Sequence, residues 1–136
     1  MDPFSAFGVA ANVIAFVDFS WKLCSSAREI YRTGEGTTGD IHFLGIIVKD
    51  IQRYNRDLVA SHSTDNVLDD IVAEARQLSA KLLEKTEQLT QKKSSRWKSF
   101  TIALQGVLKQ RELNAWITQL ERLQKRISDH VQLMTL

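Results

Sequence analysis

The run FSAFGVAANVIAF, Phe4 to Phe16, places thirteen uncharged residues near the front of a 136-residue chain. Asp2 and Pro3 just before it read as a helix start, because the carboxylate accepts from free amides and proline has no N–H to leave unpaired. The helix so begun is expected to run from about residue 3 to Thr33, where Gly34 offers a left-handed stop. At about 100° per residue, Val9, Val13, Phe16, Leu23, Ala27 and Ile30 gather on one side as a core stripe. The far side changes character along its length. It carries Phe4, Phe7, Ala11, Ile14 and Ala15 first, then Asp18, Lys22, Ser25, Glu29 and Arg32.

A helix apolar all round is wrapped either by protein or by lipid. In the first case the front half runs through the centre of the fold. In the second it reaches a bilayer, and length then matters. Pro3 to Val17 spans about 22 Å, short of a hydrocarbon layer of about 30 Å. Extension to Cys24 is long enough but brings in Asp18 and Lys22, each costing about 2.5–3.5 kcal/mol at the midplane. The apolar residues return on the order of 3–5 kcal/mol together, so a lone copy is near break-even or worse. Several copies could turn Asp18 and Lys22 toward a shared aqueous lumen, with Ala6, Ala10, Ala11 and Ala15 allowing close approach. Self-association is therefore the condition for insertion. Trp21 reads as a core or half-buried tryptophan, with an interfacial position as the alternative.

The rest of the chain fits an ordinary globular domain. It is 43% apolar and 25% charged, with a net charge of +2, one proline and six glycines. One hydrophobic core is accessible at this length, and long helices are permitted nearly everywhere. The charge is too small to demand nucleic acid, and the aromatic residues do not interleave with a basic stripe. Lys92, Lys93, Arg96 and Lys98 form a local basic cluster, which is either a solvated face or a contact for anionic lipid. Cys24 is the single cysteine and no N-x-S/T site occurs, so the chain reads as intracellular. The acidic second residue argues against a secretory leader.

Further helices follow from periodicity. A second begins near Asp40 and carries Ile41, Leu44, Ile47, Val48, Ile51, Tyr54 and Leu58 at three- and four-residue steps. SHSTDN is a turn, with Ser63, Thr64 or Asp65 as the next cap. A third helix places Leu68, Ile71, Ala75, Leu78, Leu82 and Leu89 in a row down to about Gln91. A shorter segment carries Trp97, Phe100, Leu104 and Val107. A bend in LKQRE, residues 108–112, leads to a last stripe of Leu113, Trp116, Ile117, Leu120, Leu123, Ile127, Val131 and Met134. One-sided stripes joined by short connections predict an all-α fold: an antiparallel bundle of four main helices plus a shorter one, as a single domain over residues 1–136.

No enzyme constellation emerges. His42, His62 and His130 lack metal-ligand spacing, and Cys24 sits on an apolar helix. The glycine-rich GEGTTG lacks the Gly-Lys-Ser/Thr ending of a phosphate loop and follows a helix instead of a strand. No catalytic residue, metal or cofactor is expected.

The opening MDPFSAFGVAANVIAFVDFSWKLCSSAREIYRTGEG, with its GVAANVIAFVDF core and REIY exit, resembles the HeLo-like N-terminal domains of fungal STAND proteins. The later RWKSFTIALQGVLKQREL and WITQLERLQKRI look like the distal half of that family. The resemblance implies a cell-death effector domain, cytoplasmic at rest, at the front of a NOD-like receptor or an amyloid-signalling protein. It is similar to the HeLo domain and to the four-helix killer domain of the mixed-lineage kinase-like pseudokinase. It further implies that clustering by a downstream nucleotide-binding module, or by an amyloid-motif partner, drives the first helix to the plasma membrane and permeabilises it. The matching membrane-active residues are Phe4, Phe7, Gly8, Val9, Ala11, Val13, Ile14, Phe16, Val17, Asp18 and Phe19. The competing expectation is a non-lytic helical module for protein interaction or dimerisation.

Overall fold

A computed structural model describes the backbone of residues 5–33, 38–91 and 109–136, and the side chains of 5–29, 47–88 and 109–136. Among the described residues the chain is all-helical, with four helices and no strand. They are α1 (Ala6–Thr33), α2 (Thr38–Ala60), α3 (Asn66–Gln91) and α4 (Gln110–Met134). The expected shorter helix around Trp97 to Val107, the Asp2–Pro3 start and the Gly34 stop lie outside them.

Local chemistry explains the boundaries. The Ser5 hydroxyl accepts the Gly8 amide at 2.9 Å while its carbonyl accepts that of Val9, so Ser5 closes the first turn of α1 as a side-chain cap. Of the three candidates in SHSTDN, Asp65 caps α3, its Oδ1 accepting the amides of Val67 at 3.0 Å and Leu68 at 3.2 Å. The expected bend in LKQRE is not a bent helix at Lys109, which is extended at φ −86° and ψ 145°, and α4 begins at Gln110. It does so without a side-chain cap, and Glu112 in its first turn complements the positive helix end.

The four helices share one core. α1 lies chiefly against α4, and α2 chiefly against α3, with further contacts of α1 to both α2 and α3 and of α3 to α4. Phe16, Ile51, Leu58, Leu68, Ile71, Leu78, Leu120 and Leu123 are among its fully buried members. Each stabilises by about 1.5–3 kcal/mol relative to exposure. Charged side chains join α3 to α4: Glu74 receives Arg126 at 2.6 Å and Arg122 at 3.7 Å, and Lys85 approaches Glu112 at 3.7 Å. Near the far end, His130 Nε2 lies 2.6 Å from Asp65 Oδ2.

Candidate functional site

Along α1 the buried side consists of Gly8, Val9, Ala10, Val13, Phe16, Val17, Ser20, Cys24 and Ala27. The core stripe expected from periodicity is thus rotated: Ala10, Val17 and Cys24 join it, while Leu23 packs only partly. The Ile30 side chain lies outside the described residues.

The opposite side stays apolar and meets solvent. Phe7 is 56% exposed, Ile14 44% and Trp21 37%, seven residues apart from one to the next. A seven-residue step advances close to two helical turns, so all three project from one side. Ala15 and Asp18 are exposed beside them and Ala11 is half-buried. The front half of α1 therefore does not run through the centre of the fold, because one of its sides has no protein against it among the described residues. Trp21 ends this row and is the most covered of the three, as a half-buried tryptophan.

Next to the row lies a groove of about 400 Å³ between α1 and α4. Ala11, Ile14, Ala15 and Val17 form its apolar α1 side and Ile127 its apolar α4 side, with Asp18, Gln124 and Ser128 supplying polar atoms. Asp18 is bonded to Lys22 at 3.1 Å, one turn along the same helix. Both are mostly exposed, so the pair contributes only a few tenths of a kcal/mol.

Of the expected membrane-active residues, the structure thus puts Phe7, Ile14 and Asp18 outside. Ala11 and Phe19 are half-buried, and Gly8, Val9, Val13, Phe16 and Val17 lie inside. Phe19 tilts against Tyr54 of α2, ring centroids 5.1 Å apart, and Arg53 covers the same tyrosine ring. Phe4 and the basic cluster Lys92, Lys93, Arg96 and Lys98 lie outside the described residues. By length and composition, Ala6–Glu29 suits a membrane crossing, a test that the core helix of a soluble protein also passes.

α1 has polar faults, one on its inner side and one on its flank. The Ser20 and Ser25 hydroxyls are buried with no hydrogen-bond partner among the described residues. An unsatisfied buried hydroxyl costs about 1–3 kcal/mol, which subtracts from the packing that holds the helix down. Cys24 is inert by contrast: burial pushes its thiol up to about 12, away from the reactive thiolate. His130 serves Asp65, and since an ionised carboxylate offers only acceptors, its Nε2 carries the proton. Among the described residues no three His, Cys, Asp or Glu side chains group as a metal site would need.

Periodicity missed the α4 wall of the groove, Gln124 and Ser128, because a polar residue on an amphipathic helix carries no mark of its neighbour on another helix. The seven-residue step from Phe7 through Ile14 to Trp21 was a signal available in the sequence. Compared with known proteins, the chain matches no family model, no curated protein and no solved structure.

Proposed function

We propose that this chain is a HeLo-like cell-death effector domain of a fungal NOD-like receptor, which permeabilises membranes through α1 after induced oligomerisation. The observation that carries the reading is the outer row of Phe7, Ile14 and Trp21 on a helix whose inner side is also apolar. A helix with two oily sides can exchange protein for lipid on one and keep a partner on the other. The opening sequence block supports the same family.

Magnitudes favour an induced event over a spontaneous one. Burial of Val9, Val13, Phe16 and Val17 holds α1 with roughly 6–12 kcal/mol, minus the cost of its unsatisfied hydroxyls. A resting domain is then cytoplasmic with α1 docked, and clustering by a downstream nucleotide-binding module or an amyloid-motif partner shifts the balance toward the plasma membrane. In this reading the helices form an antiparallel bundle with a fifth, shorter helix, and Lys92, Lys93, Arg96 and Lys98 lean on anionic headgroups. The domain is not an enzyme, takes no cofactor and does not act on nucleic acid.

A second reading draws on a different observation, the near-complete burial of the inner side of α1. There α1 is a permanent core element, and the row with its groove recruits a protein or a second copy without lysis. Dye release from anionic vesicles separates the two. Domains fused to an inducible oligomeriser should leak dye on induction, and leakage should fall at least tenfold with Ile14→Asp or without residues 1–20. Unchanged leakage in those variants, or sealed vesicles throughout, rejects the lytic reading.

A further inference from the structure

The turn from Ser61 to Asp65 joins α2 to α3, yet every helix is hydrogen-bonded to it. Asn12 of α1 donates through Nδ2 to the Ser61 hydroxyl at 3.0 Å, and that hydroxyl donates onward to the Asp57 carbonyl of α2 at 2.7 Å. Arg76 of α3 reaches back with Nε to the Leu58 carbonyl at 2.8 Å and with its terminal nitrogen to the Ser61 carbonyl. At the other end of the turn, Asp65 divides its carboxylate. Oδ1 caps α3 and Oδ2 accepts from His130 of α4, which is nearly buried. The Ser63 hydroxyl accepts the Asp65 amide at 3.1 Å, drawing the turn together.

The turn is thus pinned at both ends, and one pin belongs to α4. Ser61 is fully buried and its hydroxyl proton is committed to the Asp57 carbonyl, so the hydroxyl offers Asn12 an acceptor in one fixed place. If His130 leaves Asp65, the turn keeps the Arg76 pin and the α3 cap but loses its tie to the end of α4. Only three residues separate Ser61 from Asp65, too few to absorb a displacement at one end without moving the other.

We propose that the Ser61–Asp65 turn is a joint that couples the end of α4, through His130, to the docking of α1, through Asn12. The proposal rests on the reading of α1 as the element released on activation and names what gates that release. A change at His130 loosens the turn, moves the Ser61 hydroxyl and frees Asn12, some fifty residues away along the chain from the turn it grips. Coupling of this kind makes α1 responsive to whatever acts on the far end of α4, without any contact between His130 and α1 itself.

Amide hydrogen exchange on the whole chain in lipid-free buffer tests it, comparing amides of Val9 to Val17 with those of Leu78 to Leu82 in α3. His130→Ala and Asn12→Ala should each lower protection in α1 by about fivefold or more, within the usual range of intramolecular coupling, while the α3 amides hold. The double variant should lose no more than Asn12→Ala alone, since both act through one connection. His130→Gln, which keeps a donor for Asp65, should restore much of the protection. The joint is refuted if His130→Ala leaves α1 unchanged, if the two effects multiply, or if α1 and α3 lose protection by the same factor. Exchange needs no membrane, so sealed vesicles would reject the lytic function and leave the joint standing, and the converse also holds.

Discussion

α1 and α4 lie against each other and are similar in length, yet they solve the problem of having an outside differently. α4 divides cleanly. Leu113, Trp116, Ile117, Leu120, Leu123 and Ile127 face inward, and Glu121, Arg122, Lys125, Ser128 and Asp129 face water. Ionic and hydrogen-bonded ties from Arg126 to Glu74 and from His130 to Asp65 fix its rotation about its own axis. The first half of α1 has no such division, carrying buried Val9, Val13 and Phe16 on one side and exposed Phe7 and Ile14 on the other. Two oily sides leave the orientation of a helix under-determined by the hydrophobic effect, which has no direction of its own. The difference teaches that equal burial does not mean equal definition: polar ties and a wet face mark which way α4 points, whereas in the first half of α1 apolar surface alone does not.

The strongest way to break this contrast is to compare core truncations. Phe16→Ala in α1 should cost about 3–5 kcal/mol and Leu120→Ala in α4 about 2–5 kcal/mol, read from urea unfolding of each variant. A loss below about 1 kcal/mol for Phe16→Ala would mean that α1 is barely docked at rest. A smaller change sharpens the contrast from the other direction. Ser20→Ala removes a buried hydroxyl that lacks a partner among the described residues and should raise stability by up to about 1 kcal/mol, with leakage by induced oligomers falling in step. A destabilised Ser20→Ala would show that the hydroxyl is satisfied after all.

Acid addresses the α4 side with the most modest effect. The Leu68 amide, followed by His130, holds the Asp65 carboxyl below its ordinary range. A lowered folded pKa means that the unfolded chain binds the proton more readily. The contribution of Asp65 is then whole above the ordinary carboxylate range and disappears as pH falls through its folded value. Thermal melting of the wild type should show this acid loss, and Asp65→Asn should lack that component. Parallel melting curves for the two proteins would remove Asp65 from the pH response.

Much of the fold was legible because most of the apolar residues of α3 and α4 fall on one side, Val67 and Leu133 near their ends excepted. Leu68, Ile71, Ala75, Leu78 and Leu82, and Leu113 through Ile127 in α4, are buried where their spacing put them. The inward side of α1 was less legible for the same reason that it is interesting. With apolar residues nearly all round, periodicity gives no unique direction, so Ala10, Val17 and Cys24 were missed. The oily far side of its first half was readable, since Phe7, Ile14 and Ala15 contrast with the charges that follow. The turn at Ser61 was visible as a turn but not as a meeting point. Asn12, Arg76 and His130 reach it from 49, 15 and 65 residues away or nearer, separations at which no local pattern pairs a donor with its acceptor.

The solitary cysteine of the chain sits in the middle of α1, sealed and strongly protonated at rest. Its sulfur is reachable by a maleimide only when the packing around it opens. The native protein therefore carries its own stopwatch: the labelling rate of Cys24 times the opening of that part of the core, with no dye, tag or added mutation to disturb it.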